Sequence, residues 1–253
     1  MSSSIFESYL RKTDIRKLLE ELNVLEAESL IKEIEHFTEK EAGKRDQIVV
    51  SYFGEPGVKR ITDAIVSHLL SPPKLEGGAE VLDVGAGSGF FTVRVVEKLR
   101  QHLPEASFYA MDITPAMLRA LARKTSEITP LLGLAENIAG SIEHACQYIG
   151  VPEKFDAIFS TLMLHHCPNI HEVFESMRDA LKDHGKSVVI DLCEHAFEEF
   201  REEMGDVHLG FNTSEIEEKA SKHFSKVKVE KIPGIRCESS GRSAELFVAV
   251  LMC

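Results

Sequence analysis

The sequence predicts an α/β protein with a doubly wound, mostly parallel sheet, and three observations carry that expectation. From position 77 onward, short apolar runs alternate with helix-length amphipathic segments, the pattern of βαβ units. One run, Val81-Leu82-Asp83-Val84, leads into the glycine-rich turn Gly85-Ala86-Gly87-Ser88-Gly89 and then into a helix. Near the end, two strand-like runs follow one another with no crossover helix, so they must pair antiparallel.

The elements follow in order. Ile15, Leu18, Leu19 and Leu22 recur at the i, i+3, i+4, i+7 spacing of an amphipathic helix, with Thr13 or Asp14 placed to cap it. A second helix carries Leu30, Ile31, Ile34 and Phe37 on one side, and a third, Val58–Leu70, stops at Ser71-Pro72-Pro73. Residues 1–76 therefore read as a helical extension, a lid or a dimerisation surface, and 77–253 as the core. Strands are expected at Glu80–Val84, Ser107–Asp112, Thr129–Leu134, Phe155–Thr161 and Lys186–Leu192. Helices are expected between them, at Phe90–His102, Pro115–Lys124, Ile142–Tyr148 and Ile170–Lys182. A helix at Ser214–His223 then precedes the antiparallel pair Lys226–Ile232 and Glu245–Met252, which makes seven strands.

The composition narrows the function. A formal charge of −12 offers no broad cationic surface for a phosphate backbone, so a nucleic-acid substrate is disfavoured. The five cysteines are scattered without CxxC pairs, which argues against a zinc ribbon or disulfide framework and for a reducing, cytoplasmic setting. No run approaches the ~20 apolar residues of a membrane span, and the first residues lack a leader pattern.

The chemistry starts at the glycine turn, where residues without Cβ let the backbone bend and approach a ligand closely. A dinucleotide GxGxxG loop would need its third glycine at position 90, yet that residue is Phe90 and the extra glycine is Gly89. Asp112 ends the next strand, roughly 20 residues beyond the turn, where a ribose-binding acid belongs.

An acidic residue at Asp83 followed by GxGxG resembles motif I of class I S-adenosylmethionine-dependent methyltransferases. The resemblance implies a Rossmann-like, doubly wound seven-stranded sheet with an antiparallel last strand. It also implies S-adenosyl-L-methionine as cofactor, with the methionyl part against Asp83, Gly85, Ala86 and Gly87, the ribose on Asp112 and adenine beside Ile113. The stretch Gly133-Leu134-Ala135-Glu136 is similar to the family's Gly-Asp-Ala-Glu, which implicates Ala135 and Glu136. Leu134 replaces the aspartate there, so Glu136, Asn137 or a backbone carbonyl is expected to meet the adenine amino group.

The run Phe155-Asp156-Ala157-Ile158-Phe159-Ser160-Thr161-Leu162-Met163-Leu164-His165-His166 resembles the fourth motif of UbiE-like small-molecule methyltransferases, which implies Thr161 under the transferring methyl group. The segment from Asp191 through Glu194, His195 and His208 resembles the acceptor-side lid of methyltransferases associated with ArsR-type regulators. His165 and His195 are the candidate general bases, since imidazole titrates near neutrality. No metal is expected, because the spacing matches no zinc signature. The expected activity is in-line methyl transfer to a small-molecule acceptor. The rival readings are an arsenite or thiol methyltransferase using Cys167 or Cys193, and a non-catalytic protein that keeps the fold for regulation.

Overall fold

The computed structural model describes residues 3–24, 27–36 and 38–253. Five helices come first: α1 (Ser3–Lys12), α2 (Ile15–Glu21), α3 (Ala27–His36), α4 (Glu39–Ala42) and α5 (Arg45–Leu70). The core follows as β1 (Glu80–Val84), α6 (Phe90–Arg100), β2 (Ser107–Asp112), α7 (Pro115–Lys124), β3 (Ile128–Leu132), α8 (Ile138–Cys146), β4 (Phe155–Thr161), α9 (Ile170–Ala180) and β5 (Leu181–Leu192). The chain ends with α10 (Glu199–Met204), α11 (Thr213–Ala220), β6 (Lys226–Ser239) and β7 (Arg242–Met252).

The sheet has the order β3-β2-β1-β4-β5-β7-β6. Strands β1 to β5 are parallel, and β7 runs antiparallel between β5 and β6. The fold is therefore the Rossmann-like seven-stranded arrangement with an antiparallel last strand, preceded by helices. Its strand order reverses between β1 and β4, the crevice where open α/β sheets receive ligands. Helices α1, α2, α8, α9 and α11 contribute to the core on one face, α5 and α6 on the other.

Several elements differ from the sequence expectation for local reasons. Helix α5 begins at Arg45, thirteen residues before the expected start at Val58, and is interrupted at Gly54 (φ 61°, ψ 163°). Pro56 follows in the first turn of the resumed helix, where a missing N–H costs little. Beyond it Val58, Ile61, Ile65 and Leu69 are all buried at helical spacing, each stabilising by about 1.5–3 kcal/mol. Asp14, not Thr13, caps α2, its carboxylate accepting from the Arg16 and Lys17 amides. Of the expected second helix, Ile31 and Ile34 are buried, and Phe37 lies outside the described residues.

Helix α8 starts four residues early because the Asn137 side chain accepts from the Gly140 amide. The expected linker between the last strands is instead strand: β6 continues past a register shift between Ile232 and Arg236. Arg60 of α5 donates to the carbonyls of Pro233 (2.8 Å) and Gly234 (3.1 Å), pinning that irregularity. The two strands then turn at Ser240 and Gly241, both at positive φ, as a two-residue hairpin turn of type I′ requires.

Candidate active site

The carboxyl ends of β1, β2 and β4 meet at the crevice. After β1 the chain bends through Gly85, Gly87 and Gly89 at φ 72°, 53° and 75°. The Gly85 and Ala86 amides both donate to the Met111 carbonyl at 2.9 Å, which fixes the bend on β2. The three glycines serve different ends. A Cβ on Gly85 would run into Met163, and one on Gly89 into Leu121 of α7, whereas a Cβ on Gly87 would meet nothing within 4 Å. Two of them permit close packing, and Gly87 leaves a bare stretch of backbone beside open space.

Asp112 closes this arrangement. Its Oδ2 accepts from the Gly87 amide at 2.7 Å and its Oδ1 from the Thr114 amide at 2.8 Å. Burial pushes its pKa up, and the two amide hydrogen bonds work against that shift. Each oxygen retains a lone pair for a further donor. Ile113, next along, is half-buried. Asp83 lies beneath the bend, where its Oδ2 accepts from Thr92 Oγ1 at 2.6 Å and its Oδ1 is buried without a partner. Burial lifts its pKa to about 8.

Ala135 is buried, and Glu136, half-buried, has its pKa raised by burial. The Asn137 side-chain oxygen is committed to capping α8, while the Glu136 carboxylate has the Cys167 thiol as a hydrogen-bond partner. Thr161 ends β4 with its Oγ1 buried and unpartnered. Leu162 then takes φ 57°, a conformation costing a bulky residue of order 1–3 kcal/mol, and turns the chain into the 3-10 turn Leu164–His166.

That turn places His165 in the interior, at 3 % exposure. Its Nδ1 lies 2.6 Å from Asp191 Oδ1 at the end of β5, and its Nε2 lies 3.5 Å from Asp206 Oδ1. Burial lowers the His165 pKa, but the two carboxylates outweigh it and the net shift is upward. Asp206 has a fully buried side chain, neither oxygen has a hydrogen-bond partner, and burial raises its pKa to about 6. The neighbouring His166 points Nδ1 at the Gly205 carbonyl, 3.2 Å away. Burial and the His165 charge push its pKa down to about 3.

Of the expected constellation, Asp191 joins His165, while the others turn elsewhere. Glu194 is exposed, and His208 Nε2 meets the Cys167 carbonyl at 3.0 Å. His195 stacks on Phe197 (ring centroids 5.0 Å, interplanar angle 19°), and its Nε2 is buried without a partner. Burial lowers its pKa. Asp206 and Arg45 are functional candidates that sequence reasoning missed, because nothing in the spacing links positions 45, 165 and 206.

A narrow recess of about 20 Å³, room for about one water molecule, opens against the same residues, lined in part by Arg45, Tyr52, Phe53, Leu162, His165 and His166. The amino-terminal end of α5 is tied down beside it. Asp46 Oδ1 accepts from Ser88 Oγ and from Lys124 Nζ, both at 2.7 Å, and Lys124 also donates to the Ser88 carbonyl.

Known proteins resemble this chain in sequence and in fold. Residues 82–187 match the family described as methyltransferase domain. Over 128 residues the chain is 30 % identical to the biotin biosynthesis bifunctional protein BioHC of Teredinibacter turnerae, covering 50 % of this chain and 22 % of that protein. Over 117 residues it is 29 % identical to a malonyl-[acyl-carrier protein] O-methyltransferase of Nitrosospira multiformis, covering 42 % of this chain and 36 % of the relative. The chain thus spans well under half the length of either curated relative. The structure of Haemonchus contortus phosphoethanolamine N-methyltransferase 2 in complex with S-adenosyl-L-methionine superposes with a TM-score of 0.59 at 16 % identity, over 95 % of this chain and 60 % of that one.

Proposed function

We propose that the core of this chain is a class I S-adenosylmethionine-dependent methyltransferase domain and that the protein methylates a small-molecule acceptor. The observation that carries the reading is the junction of Gly87 and Asp112: a bare backbone bend and a carboxylate joined at 2.7 Å beside open space. The residues present fit the cofactor. Gly87 leaves room that a Cβ would take, Asp112 has lone pairs for ribose hydroxyls, and Asp83 Oδ1 and Thr161 Oγ1 are buried polar atoms awaiting partners. Gly85 and Ala86 continue the cradle, Ile113 and Ala135 supply apolar walls for adenine, and Glu136 is the acceptor assigned to its amino group.

The bound cofactor supplies an electrophilic methyl group on a sulfonium, an excellent leaving group. The protein's part is then to align the acceptor behind the methyl carbon and exclude water. We assign residues 1–76 to a lid and 77–253 to the catalytic core, because Asp46 fastens α5 to the cofactor loop through Ser88 and Lys124. Tyr52 and Phe53 of α5, with His165, line the acceptor recess, and His195, which is not part of that lining, is the second candidate base. The resemblance of the β4 end to UbiE-like enzymes and of the segment after β5 to ArsR-associated enzymes supports a small acceptor.

The charge of −12 supports the same reading and weighs against nucleic acid. The described residues contain no helix long and apolar enough to cross a membrane. A cytoplasmic location and a homodimer belong to the same proposal, with the amino-terminal helices as the dimer interface only if they do not act as the lid. The thiol-based alternative gains no support, since burial raises the pKa of Cys193 to about 11 and that of Cys167 well above its ordinary value. Calorimetry with S-adenosylhomocysteine tests the assignment: wild-type protein binds and Asp112→Ala binds much more weakly. Absence of binding by the wild-type protein at millimolar ligand would return it to the non-catalytic reading.

A further inference from the structure

We infer that His165, His166 and Asp206 form a binding site for a divalent transition-metal ion, with Asp191 orienting the first ligand. One nitrogen from each ring and a carboxylate oxygen of Asp206 lie within 4.8 Å of one another. His165 Nε2 and Asp206 Oδ1 are 3.5 Å apart. Ligands held ~2.1 Å from an ion stand about 3.4 Å apart in a tetrahedron. His166 is half-buried, and a shift of its ring closes the remaining gap when the ion binds.

The hydrogen bonding of these groups points to a missing cation. Asp206 has a fully buried side chain, and neither of its oxygens accepts a hydrogen bond. Buried carboxylate oxygens are rarely left unpaired, because nothing then replaces the water they have lost. Each histidine, for its part, has an oxygen at Nδ1, Asp191 at 2.6 Å for His165 and the Gly205 carbonyl at 3.2 Å for His166. Donation of Nδ1–H to those oxygens fixes the tautomer and leaves Nε2 as the lone-pair nitrogen. This is the arrangement found around metal-bound histidine, where a carboxylate or carbonyl holds the second ring nitrogen. Asp191 is itself anchored by the Leu192 amide at 2.7 Å and the His165 amide at 3.3 Å.

The donor set selects the ion. Two imidazoles and one carboxylate suit zinc and its first-row neighbours, and three protein ligands leave a coordination position open. Both histidines line the recess assigned to the acceptor. An acceptor carrying an oxygen donor would occupy the open position, so the ion would polarise it and His165 would serve as a ligand rather than as a free base. The competing cations for Asp206 are His165 itself when protonated, Arg201 and Arg45, but no hydrogen bond joins any of them to its carboxylate. The metal assignment stands apart from the cofactor assignment, which rests on Gly87 and Asp112.

The test uses the full chain stripped with EDTA and titrated with zinc chloride by calorimetry, and with cobalt chloride by visible absorbance. The expected result is a single tight equivalent, tetrahedral cobalt bands and a raised melting temperature. Asp206→Asn and His166→Gln each abolish that equivalent, and Asp191→Asn weakens it roughly 10–100-fold. A His171→Asn/His223→Asn variant, which removes the exposed histidine pair 3.3 Å apart, retains it. No binding by the wild-type chain overturns the inference, as does binding that Asp206→Asn leaves unchanged. The wild-type titration is decisive even where a variant fails to fold. S-adenosylhomocysteine affinity measured in EDTA separates failure of this site from failure of the cofactor reading.

Discussion

The Gly87 amide donates to Asp112 Oδ2 across 2.7 Å, joining the loop after β1 to the end of β2. Asp112→Ala removes that bond, the bond from Thr114 and the anchor assigned to the ribose. Hydrogen bonds to a charged group are worth about 1.5–3 kcal/mol each, so cofactor affinity falls at least roughly tenfold. Calorimetry with S-adenosylhomocysteine measures it, and an unchanged dissociation constant would end the cofactor assignment.

The glycines of the bend separate packing from ligand access. Gly85→Ala drives a methyl group into Met163 and destabilises by about 1–3 kcal/mol, with partial rescue in Gly85→Ala/Met163→Ala. Gly87→Ala meets no atom, so it costs only the roughly 1–2 kcal/mol of a left-handed backbone while narrowing the ligand space. Urea denaturation and ligand titration on the same variants should show Gly85 acting on stability and Gly87 on affinity as well. Equal losses of affinity per unit of stability would contradict this division.

Asp83 makes stability depend on pH. Its carboxyl is held near pKa 8 in the folded chain against about 3.9 when unfolded, so the folded state binds the extra proton between those values. Folding stability from this group is intact below about pH 4 and declines as pH rises towards 8. Asp83→Asn keeps an acceptor for Thr92 and removes the titration. Its gain over wild type should therefore be larger at pH 7.5 than at pH 5, by at least about 1 kcal/mol, the worth of less than one pKa unit. Parallel denaturation curves at the two values would refute the assignment.

Asp46 fastens α5 beside the cofactor loop through an ion pair with Lys124, both side chains about one-third exposed, and a hydrogen bond from the buried Ser88 hydroxyl. Such a pair contributes about 0.2–1 kcal/mol, too little to alter global stability much. Asp46→Ala should leave the melting temperature nearly unchanged while S-adenosylhomocysteine dissociates a few-fold faster in stopped-flow measurements. A release rate equal to wild type would mean that α5 does not move as a lid.

Half the site was legible because its chemistry is local. Positions 83 to 89 declare a strand, a bend and a helix within one window, and Asp112 follows at the distance one βαβ unit imposes. Strands β1, β2 and β4 begin and end where their apolar runs do. The missed features depend on distant partners. The first half of α5 is hidden by Gly54 and Pro56, which read as a loop until packing supplies the reason to continue. The extension of β6 is fixed by Arg60, more than 170 positions away in the chain. His165 was visible as a histidine after a strand, but its environment is made by Asp191 and Asp206, which only the sheet order and the α10 turn bring near.

The two outer strands of the sheet also bear on how copies of the protein meet. On β3, Pro130 lacks an N–H, and the Tyr9 hydroxyl accepts from the Leu132 amide at 3.0 Å and donates to the Leu132 carbonyl at 3.4 Å. On β6, Lys226, Lys228, Glu230 and Lys231 stand along the opposite border. A foreign strand laid on either border would find its hydrogen-bonding positions taken or would face a row of lysines. Crowded solutions of this protein are thereby guarded against ribbon-like aggregation, and self-association is steered to helical surfaces.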